Sequence, residues 1–254
     1  MKRFILAATL AATLAATTLA TPALATDIMD MTDSERDVFR AEIRDYLMEN
    51  PEVLLEAINV LEQRQAEAEA VDDATLLQDN AEEIFNDGVS YVGGNPDGDV
   101  TVVEFSDYRC PYCKRAHKEV AQLLAQDDNI KFIYKEFPIL GPDSLTAAQF
   151  AVAVLLQDGP EKYREVNNAL MEMRGDPSEA ALSAIANDHG LDPIALLEAM
   201  KSSEVTQVIQ ANRALGQRLN ISGTPTFIIG DQIVRGYLPL DNMQDAVEEA
   251  RKQE

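Results

Sequence analysis

Cysteine is scarce in this sequence, and its scarcity limits what the cysteines can do. The 254 residues include only two, Cys110 and Cys113, with two residues between them. A disulfide that closes so short a loop would add little stability as a structural staple. A structural zinc site needs about four ligands, and besides the cysteines the chain has only His117 and His189. The pair therefore indicates redox chemistry.

Basic residues are also few. The chain has 21 Lys and Arg residues against 44 Asp and Glu residues, which gives a formal net charge of −23 at pH 7. A surface of this sign repels phosphate backbones and anionic lipid headgroups. Nucleic acid and anionic membrane surfaces are therefore not expected partners. The charge otherwise favours solubility and says little about chemistry.

Strongly apolar runs are missing after the first 25 residues. Within those first 25 residues, two basic residues precede an Ala-, Leu- and Thr-rich stretch that ends in Ala23-Leu24-Ala25. This order is typical of a secretory signal, and we predict a signal peptide over residues 1–25 that is cleaved after Ala25. A membrane anchor is the alternative. However, four threonines within residues 9–18 make this stretch only weakly apolar. A membrane-spanning helix needs about 20 strongly apolar residues.

What the sequence does contain is a strand that leads into a helix through the cysteine pair. The apolar run Val102–Phe105 predicts a buried strand, and residues 114–124 have apolar positions at helical spacing. At a helix N-terminus, free N–H groups and the helix dipole favour a thiolate. We expect Cys110 to lie at the exposed end and act as the nucleophile. Cys113, one turn deeper, can then attack a mixed disulfide and release the substrate.

The remaining pattern predicts an N-terminal helical segment over residues 26–86 and a second domain over residues 87–254. A polar stretch at residues 63–70 lies in the first segment and indicates a helix that projects into solvent or pairs with another chain. In the second domain, strands are predicted at 89–92, 100–105 and 130–137, a hairpin at 226–234 and a closing helix at 239–251. Helices at about 144–203 lie between its two halves.

This order of elements resembles the thioredoxin fold with a helical insertion. Together with Cys110-Pro111-Tyr112-Cys113 and Gly223-Thr224-Pro225, it makes the chain similar to the DsbA family of exported thiol–disulfide oxidoreductases. The added N-terminal helices resemble those of ScsC-type and DsbC-type members, which oligomerise through such segments. The resemblance implies an α/β thioredoxin fold preceded by an α-helical segment, a periplasmic location and no cofactor.

The resemblance also implies a peptide-binding surface around the cysteines. In the family, the proline equivalent to Pro225 is cis and lies opposite the cysteine pair, and the backbone of the residue before it, here Thr224, binds an incoming peptide as an added strand. From Pro225 alone, an ordinary proline at the start of a strand is favoured, because cis bonds are rare; the upstream Cys110-Pro111-Tyr112-Cys113 reverses that preference. Pro111 stiffens the turn between the cysteines, and Tyr112 supplies a neutral ring beside them.

Glu104 lies six residues before Cys110 on a strand that should be buried. A buried carboxylate is costly without a task, and the resemblance implies that it relays the proton of Cys113. Lys135, on the neighbouring strand, is its expected partner. A purely structural ion pair is the alternative. His117 is expected to be a solvated surface residue with no catalytic part.

The predicted function is thiol–disulfide exchange with unfolded or misfolded exported proteins, and the N-terminal helices favour a homo-oligomeric isomerase or reductase. A membrane redox partner would reset the cysteines. A monomeric disulfide oxidase is one alternative. Another is a Cu(I)-binding module that uses the two thiolates, with Met29 or Met31 as a further ligand; no other metal site is expected.

Overall fold

The computed structural model describes residues 31–253, except the side chains of residues 66–69 and 253. The predicted signal peptide and Met29 lie outside the described residues. The chain divides into two compact units, with the boundary between Glu62 and Gln63. Within residues 31–253, none of the helices is both long and apolar enough to cross a membrane.

Two helices account for the described part of the first unit. Helix α1 (Asp33–Glu49) begins at a capping box, in which Thr32 and Glu35 satisfy each other's backbone N–H groups. Asn50 caps the end of α1, and α2 (Glu52–Asp79) starts after Pro51 and continues past the unit boundary. No residue of α1 is buried.

The second unit is built on a five-stranded sheet with the strand order β1-β3-β2-β4-β5. Its strands are β1 (Tyr91–Gly94), β2 (Val100–Ser106), β3 (Ile130–Glu136), β4 (Thr226–Ile229) and β5 (Gln232–Arg235). Strands β2 and β3 are parallel, and β1, β4 and β5 pair antiparallel to their neighbours. This mixed sheet has the thioredoxin topology, so the predicted fold class is confirmed.

The helices of the second unit follow the predicted order. They are α3 (Ala81–Phe85), α4 (Pro111–Gln126), α5 (Pro142–Glu172), α6 (Glu179–Asp188), α7 (Pro193–Ala199), α8 (Ser203–Arg218) and α9 (Leu240–Gln253). The range of α5 contains the two predicted helices, and the predicted break between them is confirmed: Gly159 has a non-helical backbone with a φ of 86°, which glycine tolerates. Helices α5, α6 and α7 form the insertion.

Two hydrophobic clusters lie on opposite faces of the sheet, because successive residues of a strand point to opposite sides. One contains Val102, Cys113 and the apolar residues of α4 and α5. The other contains Val103 and Phe105, covered by residues of α8 and by Leu77 and Ile84. The end of α2 and all of α3 thus pack on the sheet, although both precede the predicted domain start at residue 87.

Candidate active site

The cysteine pair lies at the N-terminus of α4, directly after the central strand β2. Cys110 is the N-cap residue and Pro111 occupies the first helical position, where a missing N–H group costs nothing. Both cysteines are free thiols. Cys110 keeps 4% of its accessible surface, whereas Cys113 keeps none. An incoming disulfide can therefore reach Cys110 first.

The groups around Cys110 favour its thiolate. Its largest stabiliser is a hydrogen bond from the Cys113 thiol, which lowers the pKa of Cys110 despite the opposing effect of burial. A hydrogen bond with the Thr224 side chain lowers this pKa further, as do hydrogen bonds from the backbone N–H groups of Cys113 and Tyr112. The geometry matches the predicted effect of a helix N-terminus, where these N–H groups have no partner inside the helix.

Cys113 has the opposite environment. Burial is the main cause that raises the pKa of its thiol, and the hydrogen bond to Cys110 and the nearby charge of Glu104 raise it further. A thiol in this position stays protonated at neutral pH. The pair therefore combines one activated sulfur atom with one that needs a proton acceptor before it can react.

The loop that carries Pro225 lies against Cys110. The Thr224–Pro225 peptide bond is cis, as expected, and the Cys110 thiol donates to the carbonyl oxygen of Thr224 over 3.2 Å. Thr224 is half-buried and Pro225 is buried at the start of β4. Pro111 and Tyr112, the two residues between the cysteines, are exposed. The Tyr112 ring packs 6.1 Å from the ring of Tyr237 and leaves 59% of the residue open to solvent.

Glu104 lies on β2 with 1% of its surface exposed, and its Oε1 atom has no hydrogen-bond partner among the described residues. Burial raises the pKa of Glu104 to about 8. The Ser106 hydroxyl opposes this rise, and the negative charge of the Cys110 thiolate adds to it. Glu104 can thus gain or lose a proton near neutral pH, beside a thiol that must do the same.

The expected pairing of Glu104 with Lys135 is wrong. In the register of β2 and β3, Glu104 lies beside Tyr134, and Lys135 lies beside Phe105. The two charged side chains therefore point to opposite faces of the sheet. Lys135 is fully buried and donates to Asp87 over 2.6 Å and to the carbonyl oxygen of Glu83 over 2.7 Å.

His117 also differs from the expectation of a solvated residue. It is half-buried on α4, and its Nε2 atom lies 2.9 Å from the Asn168 side-chain oxygen. Burial lowers the pKa of His117. The imidazole packs between α4 and α5, so its contacts are those of a packing residue.

Sequence reasoning missed Asp107, which fixes the loop before the cysteines. Its Oδ1 atom accepts from the Arg109 N–H group over 2.8 Å. Its Oδ2 atom accepts from the N–H groups of Ile139 and Leu140, at 2.8 and 3.1 Å. One buried carboxylate thus joins the end of β2 to the end of β3. The only sequence signal was an aspartate just after a buried strand, a common place for a loop-capping residue.

A second buried carboxylate, Glu136, was missed as well. Its Oε1 atom accepts from the hydroxyl groups of Tyr108 and Tyr163, each at 2.7 Å. Burial raises the pKa of Glu136 to about 8, against the lowering effect of these hydrogen bonds. Asn167 donates to the Tyr108 hydroxyl over 2.8 Å. This network ties β3 to α5 behind the cysteines.

A metal site requires several ligand side chains that converge on one point. Within the described part of the chain, no three His, Cys, Asp or Glu side chains converge as a metal site would require. Met31 belongs to the first unit, and Met29 lies outside the described residues. The two cysteines by themselves supply a pair of soft thiolate ligands of the kind that Cu(I) prefers.

The comparison with known families agrees with this site. A family model described as a DSBA-like thioredoxin domain matches residues 101–248. A second, described as the copper resistance protein ScsC N-terminal domain, matches residues 35–68. Because the first match covers more than half of the chain, the protein belongs to the DsbA-like thioredoxin-domain family. It is a thiol–disulfide oxidoreductase of the DsbA and ScsC type.

Individual relatives support the assignment. A thioredoxin-like oxidoreductase from Silicibacter pomeroyi DSS-3 is 45% identical, with a TM-score of 0.64 over 67% of this chain and 97% of that chain. A linker-deletion mutant of Proteus mirabilis ScsC is 25% identical, with a TM-score of 0.67 over 89% of this chain and 99% of that one. Disulfide bond formation protein D of Bacillus subtilis is 26% identical over 63% of this chain and 76% of its own length.

Other curated relatives are Na(+)/H(+) antiporters, among them one from Salinispora arenicola that is 28% identical over 63% of this chain. The match spans only 24% of that antiporter's length. The similarity therefore concerns one part of a larger protein and carries nothing about ion transport to this chain.

Proposed function

We propose that the protein is a periplasmic disulfide isomerase or reductase that acts on exported proteins through Cys110 and Cys113. The observation that carries the proposal is the asymmetry of the two thiols, since the accessible one has a lowered pKa and the inaccessible one a raised pKa. Such a pair attacks first with Cys110 and resolves with Cys113. The export signal predicted over residues 1–25 supports the location. So does a solved relative from Salmonella enterica, 26% identical, that is described as periplasmic.

The exchange conserves electrons at every step. The Cys110 thiolate attacks one sulfur of a substrate disulfide, that S–S bond breaks, and the other substrate sulfur leaves as a thiolate. If Cys113 then attacks Cys110, an internal disulfide forms and the substrate leaves reduced by two electrons. If another substrate thiolate attacks instead, Cys110 is released unchanged and the substrate is isomerised.

Glu104 has a role in the resolving step of this proposal. Cys113 must lose its proton before it can attack, and a buried carboxylate with a pKa of about 8 can accept it. Tyr134 lies beside Glu104 in the sheet register, and no cation of β3 faces the carboxylate. A carboxylate held near its own pKa exchanges protons more readily than one fixed in an ion pair.

We expect Glu104→Gln to slow release of the mixed disulfide and to stabilise the fold as pH rises. A carboxyl group whose folded pKa is raised costs stability between its unfolded pKa of about 4.3 and its folded pKa of about 8. The cost grows by up to about 1.4 kcal/mol per pH unit. Urea unfolding of both proteins from pH 5 to pH 8 measures it. Equal turnover and equal stability across this range would leave Glu104 without either effect.

The first unit supports isomerisation as the direction of the reaction. Its helices expose apolar side chains at helical spacing: Phe39, Ile43 and Tyr46 on α1, and Leu54, Ile58 and Leu61 on α2. Exposed stripes of this kind are normally covered by another surface. We propose that another copy of the chain covers them. An isomerase benefits because one catalytic unit can hold a misfolded substrate while another attacks it.

A charge placed in the α2 stripe tests this association in the full chain. Ile58→Lys should convert an oligomer into a monomer at micromolar concentration. The substitution removes the apolar contact of Ile58 and places an unpaired charge in the interface, and burial of such a charge is costly. Asn59→Lys adds the same charge on another face of α2, where residue 59 is also exposed, and should leave the oligomer intact. Light scattering reports both masses. A wild-type protein that is already monomeric would contradict the isomerase and favour the oxidase.

A truncated protein tests whether isomerisation needs the first unit. It should begin at Gln63 and not near Val89, because Leu77 and Ile84 belong to the core on the sheet. We expect it to keep exchange with small disulfides and to lose most of its activity in refolding a scrambled multi-disulfide protein. The redox state of the cysteines in cells, read by thiol alkylation, should be mostly reduced for an isomerase that a membrane partner resets.

Copper binding is a second candidate function because the N-terminal family model carries a copper-resistance description. Cys110 and Cys113 would supply two soft thiolate ligands. Titration of reduced protein with Cu(I), compared with alkylated protein, measures this directly. Tight binding that survives in a Thr224→Pro variant with impaired exchange would separate metal carriage from oxidoreductase chemistry.

A further inference from the structure

A basic cleft beside the cysteines stands out in this acidic protein. It has a volume of about 810 Å³ and lies between the first turns of α4 and the end of α5. Five of the 21 Lys and Arg residues of the chain line it. They are Arg109, Lys114, Arg115, Lys118 and Arg174, and Glu172 is the one carboxylate in the lining.

The cleft is positioned by the active-site sequence itself. Arg109 directly precedes Cys110, and Lys114 directly follows Cys113. Lys114 and Lys118 are one helical turn apart and therefore share a face of α4. A peptide bound across Cys110 and Thr224 must continue past one side of the helix N-terminus. The cations occupy such a side.

Some of these charges are already neutralised. Arg109 pairs with Asp176 at 3.3 Å and with Asp143 at 3.9 Å, and Arg115 pairs with Glu119 at 3.5 Å. These contacts hold the two guanidinium groups in place and reduce their share of the net potential. The surplus positive charge of the cleft must come from the other three cations.

Those three cations have no carboxylate within ion-pair distance among the described residues. Lys114 is half-buried, and its ammonium group donates to the backbone carbonyl of Met173, which leaves its charge uncompensated. Lys118 and Arg174 are exposed at the cleft. A concave wall with three such cations focuses a positive potential at its mouth.

We infer that this basic cleft binds acidic residues that flank the reactive cysteine of a protein substrate. The inference rests on the proposed thiol–disulfide exchange and names the substrate class that the site prefers. Charge complementarity supports it, since the chain has a formal net charge of −23 whereas the cleft is lined by five cations and one carboxylate. The attraction raises the rate of encounter with Cys110 without a change in the thiol chemistry.

The test compares three synthetic peptides, each with one cysteine joined to 2-mercaptoethanol as a mixed disulfide. The flanking residues are acidic, neutral or basic. Stopped-flow measurement should give a rate constant about tenfold higher for the acidic than for the basic peptide in 20 mM salt. In 1 M NaCl, where the Debye length falls to about 3 Å, this ratio should approach one.

Matched variants assign the effect to the cleft. Lys118→Glu combined with Arg174→Glu should remove or reverse the preference. Lys201→Glu makes the same kind of charge change at an exposed lysine outside the cleft and should preserve it. Equal rates for acidic and basic peptides in the wild type, or equal losses in the two kinds of variant, would overturn the inference.

Two further readouts separate this inference from the proposed function. Hydroxyethyl disulfide is uncharged, so the variants should reduce it at the wild-type rate; no reaction even in the wild type would contradict the proposed exchange. Binding of a labelled, cysteine-free acidic peptide, measured by fluorescence anisotropy, tests the cleft without thiol chemistry and should be lost in the double variant. If glutathione disulfide reacted faster than hydroxyethyl disulfide but the acidic peptide reacted no faster than the basic one, the inference would be overturned in favour of a site for small anions.

Discussion

Cys110→Ser should lower the rate of disulfide exchange by at least about a hundredfold. The remaining thiol, Cys113, is fully buried and has a raised pKa. For each unit by which the pKa of a thiol exceeds the pH, the fraction of reactive thiolate falls about tenfold. Reduction of hydroxyethyl disulfide at pH 7 measures the loss. Cys113→Ser should instead keep the first attack and accumulate mixed disulfides with protein substrates, because no thiol remains to resolve them.

The control for this pair of variants is Cys113→Ala. The Cys113 side chain is the main hydrogen-bond donor to the Cys110 thiolate, and serine retains a donor whereas alanine does not. We therefore expect the pKa of Cys110, followed by alkylation rate against pH, to rise more in Cys113→Ala than in Cys113→Ser. Accumulation of substrate complexes in Cys110→Ser would reverse the assigned roles of the two sulfur atoms.

The architecture around the cysteines could be predicted because its signals are local. An apolar strand, a Cys-x-x-Cys helix start and a two-residue hairpin turn are each visible within about ten residues of sequence. The insertion was visible in the same way, as a run of amphipathic helices between strands. The break within α5 was visible as well, since glycine followed by proline ends most helices, and the non-helical backbone of Gly159 lies at that point.

The pairing of Lys135 could not be predicted, because it depends on the register between two strands. A shift of one residue moves a side chain to the opposite face of a sheet. Glu104 and Lys135 both lie on adjacent central strands, and only the observed register of Glu104 with Tyr134 separates them. Asp87, the actual partner, lies in a loop for which the sequence offers no distance information.

The extent of the catalytic unit depended on tertiary packing in the same way. Leu77 and Ile84 have no feature that distinguishes them from the exposed leucines earlier in α2. Their burial follows from the position of the sheet. Asp73 adds a polar contact, since both its carboxylate oxygens accept from Arg235 at 2.8 Å. Helical periodicity shows which face is apolar and leaves open what covers it.

The contact between Asp87 and Lys135 gives the largest expected effect on stability. Asp87→Ala should lower the free energy of unfolding by about 3 kcal/mol, because it leaves a fully buried ammonium group with only the Glu83 carbonyl oxygen. Burial opposes ionisation of Asp87, yet the hydrogen bonds from Lys135 and Ser90 keep its pKa below the ordinary value. This contribution is therefore present above about pH 4 and is lost as the pH falls through the lowered pKa.

Urea unfolding at pH 7 measures the change, with Asp97→Ala as the control for loss of an exposed carboxylate. The control should stay within about 0.5 kcal/mol of the wild type. Combining Asp87→Ala with Lys135→Met should recover most of the lost stability, since the unpaired charge is then removed and its volume is filled. If Asp87→Ala were as stable as the control while Glu104→Gln unfolded the protein, Lys135 would be paired with Glu104 after all. The two variants therefore decide which carboxylate stabilises the lysine and which is free to exchange a proton with Cys113.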